Sequence, residues 1–322
     1  MSPRRRAGRK LIKALLPILL LLTVAIVGFI SWMVYGVVHP PQREYLVTPG
    51  GFVMSNRGPQ ATEETWTNAD GTKARGWLLR GTEGAPAVIM LHRYGADRSW
   101  LLNLGVKLNE TTNFTVLWPD LRGHGLNPSV NWSGFGSRES SDVLAALSYL
   151  RTLKTPQERP LISDRIGIYG VELGAYAALV AATTSEPNMR ALALDSVPAS
   201  PDELLHSAAR NRTGLDNGFI HFLARIGTRV YFLGNYGDAP DACTAASNLR
   251  DADVLLLAGA DAASLRDSTT TLAACFPNQS KVELRNDLPL TGYNLASAAG
   301  EQGEAYDRRV IEFFDRTLNN AP

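Results

Sequence analysis

A run of 25 residues without one charge, Ala14 to Val38, follows a stretch, residues 1–13, with six basic side chains (Arg4, Arg5, Arg6, Arg9, Lys10 and Lys13) and no acid. About 20 apolar residues, rising about 1.5 Å each, cross a hydrocarbon layer about 30 Å thick, so the run can span a bilayer. Pro17 and Gly28 are tolerated in such a helix, and Trp32 and Tyr35 near its far end suit an interfacial aromatic belt. With the basic residues ahead of it, the run predicts a cytoplasmic tail at 1–13, a single-pass cell-membrane anchor at 14–38 and an extracytoplasmic C-terminal part. The lipid bilayer is therefore the first expected partner. A cleavable signal has a shorter apolar core and a small-residue cleavage site, and SWMVYGVVHPP has no A-x-A pattern.

The charge balance has to be divided in the same way. Setting the six basic residues aside leaves 26 Lys+Arg against 31 Asp+Glu, a net −5 beneath the overall +1. That balance excludes a basic nucleic-acid binder for the folded part. The two cysteines, Cys243 and Cys275, are 32 residues apart and have no neighbouring histidines, so they make no metal set. In an oxidising compartment they pair as a disulfide or stay as two buried thiols, and both readings stand. A phosphate-binding G-x-x-x-x-G-K-[ST] and a dinucleotide G-x-G-x-x-G are both missing, and no cofactor is expected.

After a connector at 39–60, opened by His39-Pro40-Pro41, short apolar runs alternate with helical patterns through 61–322. Residues 66–72 read as a hairpin turn around Asp70-Gly71. Ala87–Leu91 and Phe114–Trp118 are continuous apolar runs of strand length. Further strands are expected at 166–170, 191–196, 253–258 and 281–285. Helices are expected at about 99–108, 138–153, 173–184, 262–275 and 304–318. The alternation predicts an α/β domain, a mostly parallel sheet with helices on both faces. At 198–250 the rhythm lapses, and GFIHFLARIGTRVYFLGNYG reads either as an insertion or lid or as ordinary core helices.

The segment Gly170-Val171-Glu172-Leu173-Gly174 has the G-x-S-x-G spacing of a tight strand-to-helix turn, with Glu in the centre. Leu91-His92-Arg93-Tyr94-Gly95 looks like an H-G-x-G segment, and Pro119-Asp120-Leu121-Arg122-Gly123-His124-Gly125 looks like D-x-R-G-H-G. Arg138-Glu139, Asp142-Val143 and Tyr149-Leu150 fit the helix before the elbow strand. Taken in this order, roughly 60–320 resembles the α/β-hydrolase family, specifically its bacterial serine esterase and peptidase-like branch.

The resemblance implies a serine nucleophile, a histidine base and an acid. Glu172 stands at the nucleophile position, and Asp261 is the nearest candidate for the acid. The histidine is expected after the last strand, where Asn286–Tyr293 contains none; His39, His92, His124, His206 and His221 all come earlier. His92, Arg93, Tyr94 and Leu173 would surround the oxyanion position, with Arg93 where the family has glycine. Glu172 and Arg93 are expected either to plug the site as an ion pair or to face solvent separately. A catalytically degenerate, membrane-anchored protein that binds or scaffolds an unknown ligand or protein is the reading that follows. The alternative is an active esterase- or peptidase-like hydrolase built around Glu172, Asp261 and a histidine such as His206 or His221.

Overall fold

The structure is a computed structural model that describes residues 3–49, 61–184, 189–234, 238–249, 251–294 and 300–319. Helix α1 (Pro3–Val38) contains the apolar N-terminal run, with Pro17 inside it. Its Leu15–Val38 stretch has a mean hydropathy of 2.5 and is a candidate membrane span by length and composition. The chain divides into two compact units: α1 with residues 205–236, and residues 39–204 with 237–322.

The second unit is built on one eight-stranded sheet: β1 (Thr62–Thr67), β2 (Lys73–Leu79), β3 (Ala85–Leu91), β4 (Thr115–Pro119), β5 (Ile162–Val171), β6 (Met189–Asp195), β7 (Asp253–Gly259) and β8 (Val282–Leu288). Their spatial order is β1-β2-β4-β3-β5-β6-β7-β8. The β1–β2 and β2–β4 pairs are antiparallel and all the others parallel. In the β1–β2 turn, Gly71 takes φ +83° and Asp70 accepts the Thr72 N–H at 3.1 Å. That is the positive-φ turn expected of Asp-Gly.

The helices of this unit are α2 (Leu102–Thr112), α3 (Ser137–Thr152), α4 (Leu173–Ala182), the start of α5 (Pro201–Thr213), α7 (Ala242–Asn248), α8 (Ala263–Leu272) and α9 (Glu301–Asn319). Side chains alternate across a strand, which places Val88 and Met90 in one apolar layer with Leu104 and Leu108 of α2 and Val310 and Phe314 of α9. Ile89 and Leu91, equally buried, belong to the opposite face, where α4 lies against β3, β5 and β6. Alanines 175, 177, 178 and 181 leave α4 slim enough to be buried on every side.

Several boundaries differ from the sequence reading, and the helix expected at about 99–108 runs from Leu102 to Thr112 behind a 3-10 turn at Arg98–Leu101. β5 begins four residues before 166, because Ser163, Asp164 and Arg165 interrupt the apolar run with partly exposed polar side chains. β8 continues to Leu288 as the sheet's edge, where Asn286 and Asp287 remain exposed. Charged residues are common on such edges. The 198–250 segment is also not one block: α6 (Gly218–Tyr231) and most of α5 group with α1, whereas α7 packs on α4.

Candidate functional site

β5 ends at Val171 and α4 opens at Leu173, so Glu172 occupies the sharp turn between them with φ +49° and ψ −106°. Such a backbone costs a non-glycine residue about 1–3 kcal/mol and persists only where its surroundings impose it. Here they do. A Cβ at Gly170 would lie 2.6 Å from backbone atoms of Gly174 and Ala175, and one at Gly174 would lie 2.4 Å from Leu91 O. The Glu172 N–H donates to Asp195 O and its carbonyl accepts from Tyr176 N–H, each at 2.9 Å.

The turn aims the Glu172 side chain inward, where the residue is 3% exposed and Oε2 accepts the Tyr94 backbone N–H at 2.9 Å. Burial pushes its pKa up to about 7, against the opposing pull of the Arg93 charge and of the Tyr94 and Leu173 N–H groups. Those two N–H groups come from the loop after β3 and from the first residue of α4. They occupy the places from which an acyl-transfer site of this kind stabilises an oxyanion. The carboxylate of Glu172 therefore rests on the N–H groups that flank the turn.

Arg93 does not form the expected pair with Glu172. Its Nη1 donates to Tyr94 O at 3.1 Å, and its guanidinium lies over the rings of Trp100 at 4.6 Å and Tyr293 at 4.8 Å. No Arg93–Glu172 contact falls within the 4.0 Å of an ion pair. Nor do the two face solvent separately, since Glu172 is buried and Arg93 half-buried. A guanidinium is weakly hydrated and stacks well on aromatic faces, while backbone donors already serve the carboxylate.

The nearby histidines are engaged on both ring nitrogens. His92 Nδ1 lies 2.8 Å from Arg93 O and its Nε2 accepts Leu121 N–H at 3.0 Å. His124 Nδ1 lies 2.8 Å from Arg122 O and its Nε2 accepts Gly95 N–H at 3.1 Å. Burial pushes His92 down to about 4 and His124 to about 3, so both rings are neutral. In these positions they tie the turns after β3 and β4 together. His206 and His221 belong to the other unit, where their rings stack 4.1 Å apart and His221 Nε2 lies 3.0 Å from Asp216.

Asp261, in the 3-10 turn after β7, accepts from the Thr291 N–H at 3.0 Å, from its hydroxyl at 2.9 Å and from Asn294 Nδ2 at 3.2 Å. Thr291, Tyr293 and Asn294 follow β8, on the loop where the resemblance expects histidine. Asp261 thus anchors that loop, and among the described residues no histidine contacts it.

Asp195, at the end of β6, was not among the sequence candidates, yet it is fully buried beside the elbow. It accepts from Gly292 N–H at 2.7 Å, from Ser196 Oγ at 2.7 Å and from the Tyr306 hydroxyl, which in turn lies 2.8 Å from the Tyr169 hydroxyl. Burial pushes Asp195 up to about 6, the three donors pulling the other way. The available signal was an Asp-Ser pair closing an apolar strand, since functional groups of α/β sheets collect at the carboxyl ends of strands. A cavity of about 250 Å³ lies elsewhere, between Trp66, Arg75 and the Asp120–Val130 turn, and Glu172, Arg93 and Asp261 take no part in its lining. Cys243 of α7 and Cys275 are joined by a disulfide, with Cα atoms 5.2 Å apart.

No protein-family model matches the chain, and no curated protein matches it in sequence. Solved structures do resemble it. An esterase of Pyrococcus furiosus superposes with a TM-score of 0.62 at 19% identity, covering 87% of this chain and 98% of its own. Est1E of Butyrivibrio proteoclasticus, solved with ferulic acid, gives 0.59 at 16%, covering 80% and 100%. An acylaminoacyl peptidase of Pyrococcus horikoshii gives 0.58 at 16%, covering 87% of this chain and 45% of its own. At these identities the likeness concerns architecture, and with its mostly parallel sheet, its elbow after β5 and helices on both faces, the chain has the α/β-hydrolase fold.

Proposed function

We propose that this is a membrane-anchored α/β-hydrolase-fold protein whose catalytic centre is degenerate, and that it binds or scaffolds a ligand or protein partner outside the cytoplasm. The observation that carries the reading is the Glu172 carboxylate on the Tyr94 N–H. A carboxylate there fills the oxyanion position, supplies no hydroxyl nucleophile and repels a developing negative charge. Hydrolysis by the serine mechanism also needs a base able to take a proton near neutral pH. His92 and His124, both neutral and engaged on both ring nitrogens, do not meet that need.

The test uses the full chain in detergent, treated with a fluorophosphonate probe and assayed against short acyl esters beside Glu172→Ala. The expected result is no labelling and no turnover above the buffer rate. Turnover that Glu172→Ala abolishes would establish the active-hydrolase alternative and end the degenerate reading.

A further inference from the structure

Within the unit formed by α1 and residues 205–236, helix α6 packs on the end of the membrane run. Ile220, Ala224 and Thr228 are its buried face. Gly227 allows the close approach: a Cβ there would stand 2.4 Å from Val34 Cγ2 and 3.1 Å from Ile30 Cγ2. Small residues let membrane helices come together in this way.

The other side of α6 is apolar and uncovered. Phe219 is 67% exposed, Phe222 57%, Ile226 45%, Val230 69% and Leu233, just past the helix end, 88%. Steps of three and four residues align them as one stripe. An uncovered stripe of large apolar side chains on a helix marks an interaction surface. Its neighbour says what covers it, because α1 exposes Leu16, Leu19, Leu20, Val24, Val27 and Phe29 in the same manner. Ile30 is 15 residues beyond Leu15, a rise of about 22 Å, so α6 meets α1 near the far edge of a hydrocarbon layer about 30 Å thick.

Charge supports the same occupant independently. Residues 205–236 hold Arg210, Arg212, Arg225 and Arg229 against Asp216 alone, a net +3. The rest of 39–322 has 22 basic residues against 30 acidic, a net −8. Arg212 lies 4.3 Å over the ring of Trp32, an interfacial aromatic of α1. Arginines around an apolar stripe are the composition of helices that lie in the membrane plane among anionic headgroups.

We propose that α6 is a second membrane element, lying in the plane of the interface with Phe219, Phe222, Ile226, Val230 and Leu233 among the upper acyl chains and its arginines toward anionic headgroups. This rests on α1 spanning the bilayer, so the test reads both elements separately. With no free cysteine among the described residues, Phe222→Cys and Leu20→Cys full chains can each be labelled with an environment-sensitive fluorophore. They are then reconstituted in phosphatidylcholine–phosphatidylglycerol vesicles and exposed to lipids carrying nitroxide at the headgroup or along the acyl chain, and to aqueous iodide. The expected result is loss of the Phe222-site emission to shallow nitroxides, loss of the Leu20-site emission to deep ones, and little loss of either to iodide. A Leu20 site quenched by lipid beside a Phe222 site quenched only by iodide overturns the α6 proposal and leaves the anchor standing. A Leu20 site open to iodide overturns both. A Phe222 site shielded from lipid and iodide alike, in chains that cross-link to one another, puts a second copy on the stripe and also overturns it.

Discussion

Glu172 Oε2 lies 2.9 Å from the Tyr94 backbone nitrogen, so the loop after β3 and the turn after β5 are tied by the protein's own side chain. Chain length explains why this residue type can do so. A serine hydroxyl is attached to Cβ, whereas a glutamate carboxylate stands two carbons further out and folds back onto the N–H groups flanking the elbow. The turn is strained, with φ +49° at Glu172, and the side chain it presents is a buried carboxylate.

The first prediction concerns pH. Glu172 is pushed up to about 7 in the folded protein from an ordinary value of 4.5. Below 4.5 both folded and unfolded chains carry the proton, and the group adds nothing to the pH dependence. As the pH rises toward 7 the unfolded chain releases its proton first, so stability falls by an amount on the order of 3 kcal/mol and then levels off. Glu172→Gln removes that loss while keeping an acceptor for Tyr94. Its apparent Tm should match the parent near pH 4 and exceed it by several degrees at pH 8, as scanning calorimetry at the two pH values can read. A Gln variant less stable than the parent at pH 8 would mean that a favourable ion pair had been removed.

Asp195 gives a second. Three donors converge on one fully buried carboxylate, and removing a buried acceptor leaves its partners unsatisfied at about 1–3 kcal/mol each. Asp195→Ala should therefore lower stability by about 3 kcal/mol or more, while Tyr306→Phe, losing one hydroxyl, should cost about 1–2 kcal/mol. Because both changes strike one network, the double variant should cost less than the two together. Strict additivity in thermal unfolding would argue against the coupling.

How far the sequence reached follows the same physics. Strands β3, β4, β6 and β7 were legible because their apolar stretches at 87–91, 114–118, 191–194 and 254–258 are continuous and buried. The elbow was legible because Gly170 and Gly174 answer to backbone contacts that tolerate no Cβ. The direction of Arg93 was not, since its ring partners Trp100 and Tyr293 are 7 and 200 residues away in sequence. Asp195 was hidden for a related reason. Its partners Gly292 and Tyr306 lie about a hundred residues on, and only the closed sheet brings them together.

Gly174 should be among the least replaceable positions of the sheet domain. The Cβ of an alanine there would meet the Leu91 carbonyl oxygen at 2.4 Å, and backbone atoms of β3 cannot move aside as a flexible side chain can. Overpacking of this kind typically costs about 1–3 kcal/mol. Gly174→Ala should fall at or above the top of that range despite alanine's better helix propensity. Gly71→Ala offers a comparison, because nothing lies within 4 Å of its Cβ position and only its φ of +83° resists the change. Thermal melts of the two variants should rank Gly174→Ala well below Gly71→Ala, and the reverse order would mean that β3 and α4 can separate at small cost.

The last prediction concerns the Cys243–Cys275 bridge, which spans a sequence separation of 32. It joins α7, packed on the elbow helix α4, to the turn that follows α8, so β7 and α8 lie inside the closed loop. Restricting an unfolded loop of that length is worth about 3–4 kcal/mol by chain entropy. For a domain of this size each kcal/mol corresponds to about 2–4 °C. Reduction, or the Cys243→Ala and Cys275→Ala pair, should therefore lower the apparent Tm by roughly 10 °C. Reductant should leave the melt of the double variant unchanged. Thiol titration of the denatured, unreduced chain should find no free thiol, and a count of two would remove the bridge from this account.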